Sequence, residues 1–160
     1  TVNQLIDSGA VQADYYMVAL NRLDVAEAQF YSSRAGSAAY CVADFDTSPT
    51  KEAFRRFHST LYANQPQETD KVFPTDDDLV ERAREAGVEG NGVSDCIRGG
   101  KYLDMVRGVV QAVGLEHTPT IKINNQELDM STINSPQDFI NKINEAAAAP
   151  APTPTPAPAP

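Results

Sequence analysis

The sequence predicts an α/β fold in which a long helical block interrupts a sheet. Three stretches carry that reading. Tyr15-Tyr16-Met17-Val18-Ala19-Leu20 is a short continuous apolar run, of the kind found in strands buried on both faces. Residues from about 30 to 113 read as almost wholly helical. His117 to Asn125 then reads as a tight turn at Thr118-Pro119 running straight into a strand. Ile121 and Ile123 alternate there with Thr120 and Lys122, the period of two expected of a strand with one buried face. Asn124-Asn125 marks a turn, because Asn tolerates positive φ at low cost. Gln126 to Met130 would return as the antiparallel partner. The expected sheet therefore holds residues 14–20, 120–124 and 126–130.

The remaining elements follow in chain order. Thr1 to Gly9 carries apolar residues at Val2, Leu5 and Ile6 and a stop-type Gly9, the look of the last turns of a helix. The chain opens on Thr1 rather than Met, so an upstream piece is expected, holding the first strand and the start of that helix. Phe30 to Ala43 is rich in small residues that allow close packing, namely Ala35, Gly36, Ser37, Ala38 and Ala39. Ser48-Pro49 is a candidate N-cap with proline at the first helical position. Phe54, Phe57, His58 and Leu61 then form a stripe at helical spacing. Thr75-Asp76-Asp77-Asp78 opens another helix, its carboxylates favoured by the helix dipole. Leu79, Ala83 and Ala86 follow on one face and Gly87 stops it. Tyr102, Leu103, Val106, Val109, Val110 and Val113 make a last amphipathic helix of the block, ending at Gly114. After the hairpin, Ser135-Pro136-Gln137-Asp138 opens a final helix with Phe139, Ile140 and Ile143 on its buried face. From Ala146 onward only Ala, Pro and Thr remain, which predicts a solvated, polyproline-like extension that could reach about 45 Å.

Composition narrows the function. A chain of 160 residues with 41% apolar content can bury one core, as one domain or one domain with an insertion. Its net charge of −9 argues against nucleic acid, whose phosphates would repel it, and against a polybasic membrane-surface role. No apolar run approaches the roughly 18 residues that span a bilayer.

The order strand, helical block, proline turn, hairpin, helix resembles the DsbA-like branch of the thioredoxin superfamily, and the actinobacterial DsbA-like proteins most. The residues that carry the resemblance are Leu5-Ile6-Asp7-Ser8-Gly9-Ala10-Val11, Asp14-Tyr15-Tyr16-Met17-Val18-Ala19, Tyr31-Ser32-Ser33-Arg34-Ala35, Ala39-Tyr40-Cys41-Val42-Ala43-Asp44, Phe54-Arg55-Arg56-Phe57-His58, Leu61-Tyr62-Ala63 and Thr118-Pro119-Thr120-Ile121. They span nearly everything from Thr1 to about Glu145. The resemblance implies a thioredoxin-like domain over 1–29 and 114–145, an inserted helical domain over 30–113, and a tail over 146–160. It implies a cis peptide bond at Thr118-Pro119, in a loop of Thr118, Pro119 and Thr120 that binds an extended polypeptide substrate. It further implies thiol–disulfide oxidoreductase activity, with a membrane redox partner and without metal or organic cofactor.

One departure is plain. The family's activity resides in a Cys-x-x-Cys pair at the start of its first helix, and this sequence holds no such pair. Exchange needs an exposed, low-pKa thiolate and a second thiol to resolve the mixed disulfide. The two cysteines, Cys41 and Cys96, lie too far apart in sequence for that motif. The resemblance implies that they form a structural disulfide in the helical domain; two buried free thiols are the alternative. A zinc site from Cys41, His58, Cys96 and His117 has no recognised ligand spacing. A disulfide would place the chain in an oxidising, extracytoplasmic compartment. His58 reads as half-buried structure rather than a base. His117, two residues before the proline, reads as a solvent-facing turn residue, with a proton shuttle as the alternative. Asp76-Asp77-Asp78 reads as a solvated helix start rather than a metal site, and the glycines from Gly87 to Gly100 lack the strand–turn–helix context of a phosphate loop. Two function classes stand: an oxidoreductase whose catalytic pair lies upstream of Thr1, and a redox-inactive module that keeps the peptide groove.

Overall fold

The computed structural model of the chain describes residues 2–20, 24–67, 69–112, 114–115 and 117–148. The predicted tail beyond Ala148 and Val113 of the last block helix lie outside the described residues. The chain divides into two compact units: one takes the described residues of Thr1–Gln12 and His117–Pro160, the other those of Ala13–Glu116.

The larger unit is helical. It contains α2 (Tyr31–Phe45), α3 (Glu52–Ala63), α4 (Asp76–Glu85), α5 (Asn91–Arg98) and α6 (Leu103–Ala112); the short α1 (Val2–Asp7) belongs to the other unit. α2 is central, and its small residues explain why. Ala35, Gly36, Ser37, Ala38, Ala39, Cys41 and Val42 are all buried, so neighbouring helices can approach closely. Phe57, Leu79, Val93 and Val106 complete the interior from α3, α4, α5 and α6. A Cβ placed on Gly36 would stand 2.9 Å from Val106 Cγ1 and 3.4 Å from Met17 Cβ. One on Gly92 would stand 2.6 Å from Phe45 Cε1, but Phe45 is half exposed and can turn aside, whereas Val106 is fully enclosed. Overpacking an enclosed site costs about 1–3 kcal/mol, against the roughly 1 kcal/mol that alanine gains over glycine in a helix. Gly36→Ala should therefore lower the urea midpoint, while Gly92→Ala should leave it unchanged or raise it. The opposite order would show that α6 yields and Phe45 does not.

Helix boundaries agree with local sequence where the signals are local. Thr75 makes a capping box with Asp78: its hydroxyl accepts from the Asp78 N–H, and the Asp78 carboxylate accepts from the Thr75 N–H at 2.7 Å. α4 ends at Gly87, whose φ of +97° suits glycine; its N–H donates to Arg84 O and the Val88 N–H to Ala83 O, both at 2.9 Å.

One start differs from expectation, and a second is capped in the same unforeseen way. Ser48-Pro49 does not open α3; the helix begins at Glu52, and the N-cap position is Lys51, in the left-handed region at φ 51°. Ser48 still serves the helix from outside, its Oγ accepting the Glu52 N–H at 2.8 Å. Asp46 supplies the rest. Its Oδ2 accepts the Phe54 N–H at 2.9 Å, and its Oδ1 accepts the Ser48 N–H and hydroxyl at 2.9 and 2.6 Å. α2 repeats the device. Its N-cap residue Phe30 is also left-handed, and the Ser33 N–H is taken by Asp24 Oδ1 at 3.0 Å. Arg107 of α6 holds that carboxylate, with Nε 3.3 Å from Asp24 Oδ2 and Nη2 donating to Ser33 Oγ at 3.1 Å.

The expected strand over 14–20 is corrected. Residues 14–20 form no ladder among the described residues, and the sheet is two-stranded. The two faces differ: Met17 and Ala19 are buried, while on the other side Tyr16 is 65% exposed and Val18 and Leu20 are half buried. The Met17 N–H donates to the Tyr40 hydroxyl of α2 at 3.1 Å, so a helix side chain takes the place that a neighbouring strand's carbonyl would fill.

The smaller unit holds β1 (Lys122–Ile123), β2 (Gln126–Glu127) and α7 (Pro136–Ala148). The strands pair antiparallel with Lys122 opposite Glu127 and Ile123 opposite Gln126. Asn124 and Asn125 have φ of 50° and 66°, which matches a two-residue hairpin turn. The Leu128 N–H donates to Ile121 O at 2.8 Å, extending the pairing by one bond. Beyond it the expected strand stops short of Met130. Asp129 turns its carboxylate onto the Ser131 N–H at 2.9 Å and starts a short 3-10 turn, Met130–Thr132. α7 opens at Ser135, whose Oγ accepts the Asp138 N–H at 3.2 Å, and Ile143 is its buried residue.

Candidate functional site: the Thr118-Pro119 loop

The loop from His117 to Thr120 leads directly into β1. The Thr118–Pro119 peptide bond is cis. His117, Thr118 and Pro119 are exposed, and Thr120 is half buried. Two side chains close the loop. The Thr120 hydroxyl donates to His117 O at 2.7 Å, and Thr120 Oγ1 also lies 3.2 Å from His117 Nδ1. On its other side the His117 ring faces the hairpin, with Nε2 3.5 Å from Glu127 Oε1 on β2. Glu127 in turn stands opposite Lys122 in the register. The arrangement presents three exposed residues, His117 to Pro119, leading into a strand, beside a histidine, a hydroxyl and a carboxylate in contact. Such an edge can accept an extended peptide by main-chain hydrogen bonding.

Sequence reasoning singled out Thr118, Pro119, Thr120 and His117, and the structure brings all of them together. It missed Glu127. The signal was available: a two-residue turn at Asn124-Asn125 fixes the hairpin register and so fixes which β2 residue comes back toward the loop.

The other residues considered stand in the helical unit. Cys41 of α2 and Cys96 of α5 are joined by a disulfide with Cα atoms 5.8 Å apart, and both are buried. Among the described residues no free cysteine remains. His58 sits in an aromatic group, its ring 5.2 Å from Tyr15, 5.9 Å from Phe54 and 4.9 Å from Tyr62. Burial lowers its pKa, so it is neutral at pH 7. Asp76 pairs with Arg34 at 2.9 Å and Asp77 with Arg98 at 2.8 Å, while Asp78 caps α4. The described residues contain no cluster of His, Cys, Asp and Glu suited to a metal ion. No helix among them is long and apolar enough to cross a membrane.

Comparison with known proteins adds the following. A family model described as Thioredoxin matches residues 1–142. Solved structures of Mycobacterium tuberculosis proteins are similar throughout. Oxidised DsbA is 47% identical, with a TM-score of 0.81, over 92% of this chain and 71% of that one. The reduced form of the disulfide bond oxidoreductase DsbG is also 47% identical, with a TM-score of 0.81, over 94% of this chain and 68% of that one. Reduced DsbA matches at 47% identity and a TM-score of 0.80, over 92% and 71%. No curated protein matches.

Proposed function

Because this chain belongs to the thioredoxin family, in its DsbA-like branch, we propose that it is a protein thiol–disulfide oxidoreductase-like domain of the cell envelope. Its substrates are extended, cysteine-containing polypeptides, and the loop of Thr118, Pro119 and Thr120 receives them as an added strand. The observation that carries this reading is the loop: exposed residues around a cis Thr118–Pro119 bond leading into β1, in a chain 47% identical to a mycobacterial DsbA. In that reading the insert is residues 30–113, and 1–29 with 114–145 make the thioredoxin-like part; the compact units divide instead at 12/13 and 116/117. A membrane redox partner would exchange electrons with the catalytic pair. The buried Cys41–Cys96 bond supports an oxidising compartment outside the cytoplasm.

The catalytic thiols are not among these 160 residues, whose two cysteines are bonded to each other. That observation favours a second reading for the chain taken alone, a thioredoxin-like module that binds peptide without chemistry. The two readings part on sequence upstream of Thr1. A Cys-x-x-Cys within about 20 residues of it, restoring insulin reduction when included, supports the enzyme; an upstream frame without the pair leaves the binding module.

The 160 residues alone should neither oxidise a dithiol peptide nor reduce insulin. No exposed thiolate is available to attack, and no second thiol to resolve the product. Turnover of either substrate that disappears in Cys41→Ser or Cys96→Ser would overturn both the assignment of that disulfide as structural and the inactive reading.

A further inference from the structure

The sequence holds one Asn-Gly pair, Asn91-Gly92, and the fold sets it at the start of α5 with both residues exposed. The first bond of that helix runs from the Ser94 N–H to Gly90 O at 3.2 Å, so the Gly92 N–H lies in the turn that has no carbonyl partner along the helix. Glycine has no Cβ, so its nitrogen is unscreened. The oxygen of the same peptide group is held: Ser94 Oγ donates to Asn91 O at 3.0 Å. A hydrogen bond to that oxygen, at the positive end of a helix, favours the negative charge that spreads over the peptide group when its nitrogen gives up a proton. The chain just before that peptide is held less. Gly90, the N-cap residue, has φ of 111° and makes no side-chain cap, whereas Thr75 and Asp78 cap α4, and Asp46 and Asp24 serve α3 and α2. The main chain can turn at Gly90 and Asn91 while Ser94 keeps its hold on the peptide beyond.

We propose that Asn91 is a self-modification site, which deamidates through a cyclic imide with Gly92 at a rate that Ser94 raises. Solvent base takes the Gly92 N–H proton. The nitrogen attacks Asn91 Cγ, the new N–Cγ bond closes the ring, the Cγ–Nδ2 bond breaks, and ammonia leaves with a proton from solvent. Water then opens the imide at either carbonyl. Cutting the new bond gives aspartate; cutting the bond between Asn91 C and Gly92 N gives isoaspartate. Nothing is oxidised or reduced, and water is the co-reactant. Either product replaces a neutral amide with a carboxylate. Asn91 and Ser94 line an open hollow of about 330 Å³ whose rim also carries Glu89, Arg84 and Arg98, the arginines pairing with Glu81 and Asp77. Water therefore reaches the imide, and the aspartate product sits at a helix start that favours negative charge. The isoaspartate product lengthens the main chain by one carbon, and the first turn of α5 cannot keep its present form.

The test incubates the full chain, folded, in mildly alkaline buffer and locates the conversion by peptide mapping with mass spectrometry. Product should appear at Asn91 ahead of every other asparagine, as a mixture of aspartate and isoaspartate. Ser94→Ala should slow it by about three- to ten-fold, the rate equivalent of one ordinary hydrogen bond. Gly92→Ala, which the packing around Phe45 tolerates, should slow it further. In urea, where the turn is gone, Ser94→Ala and the parent should react alike, which separates the contribution of the fold from that of the Asn-Gly pair itself. Circular dichroism establishes that each variant is folded before incubation. A folded parent that stays intact or reacts first at another asparagine, or a Gly92→Ala chain as fast as the parent, overturns the site. Equal rates in the folded parent and Ser94→Ala, or the same slowing in urea, overturn the part given to Ser94. So does a faster Ser94→Ala, the result expected if the hydroxyl merely holds the turn together.

Discussion

Replacing Cys41 and Cys96 together with alanine should destabilise the helical unit by about 4 kcal/mol. The bond closes a sequence separation of 55 residues, and chain-entropy reasoning for a loop of that size gives a figure of this order. Its two ends lie on α2 and α5, the first at the centre of the core, so the unfolded chain loses its main constraint while the folded unit loses little contact. The measurement is urea unfolding followed by circular dichroism. The midpoint should fall, and the slope of free energy against urea should rise, because an uncrosslinked unfolded chain exposes more surface. Reducing the unmutated protein should reproduce most of the shift. A variant within about 1 kcal/mol of the parent would show that the loop is already constrained in the unfolded state.

Asp46→Ala should cost about 3 kcal/mol. Asp46 as a residue is 4% exposed, and its carboxylate accepts from Phe54 N–H, Ser48 N–H and the Ser48 hydroxyl. Removing it strands a buried amide at the start of α3 and loosens the turn before it. Each unsatisfied buried donor costs about 1–3 kcal/mol, and hydrogen bonds to charged groups lie at the upper end of the ordinary range. The effect should depend on pH in a defined direction. Burial alone would push this carboxyl up, but hydrogen bonds from the Ser48 side chain and from the backbone of Phe54, Ser48 and Ala53 outweigh it and hold the pKa below the usual value. A folded-state pKa below the unfolded value of about 3.9 means stability that is fully present above that pH and lost as pH falls through the folded value. The gap between parent and Asp46→Ala should therefore hold from neutrality down to about pH 4 and narrow below it. A gap that widened in acid would mean that the neutral acid is the form bound in the fold.

Asp46 also shows where sequence reading stops. Thr75 and Asp78 stand three positions apart, so their capping box is local and legible. Asp46 and Asp24 cap α3 and α2 from eight and nine positions away, past left-handed N-cap residues that carry no side-chain cap of their own. Nothing in the composition at Lys51 or Phe30 announces that geometry, and Ser48-Pro49 supplied a local cap motif that the chain does not use in the expected way. The apolar run over 15–20 misled differently. Its residues suit a strand with two covered faces, but whether a ladder forms depends on a partner, and the structure gives Met17 a tyrosine hydroxyl instead. The hairpin was legible through Asn124-Asn125, and the loop through its place between Gly114 and β1. The tie between His117 and Glu127 was not, because it depends on register rather than on either residue alone.

The close approach at Gly36 bears on how the helical unit closes on itself. Met17, on the segment that leads into the unit, and Val106, on the helix that leads out, both come within 3.4 Å of a Cβ placed on that one glycine. Arg107, beside Val106, also grips Asp24, which follows the incoming segment. Met17 and Val106 stand about ninety positions apart, yet they meet at one glycine of α2, so the first and last elements of the helical unit hold each other. A long excursion adds closure entropy only as the logarithm of its length. The stretch between those two residues can therefore change in length or surface at small cost, provided the meeting point at Gly36 is kept.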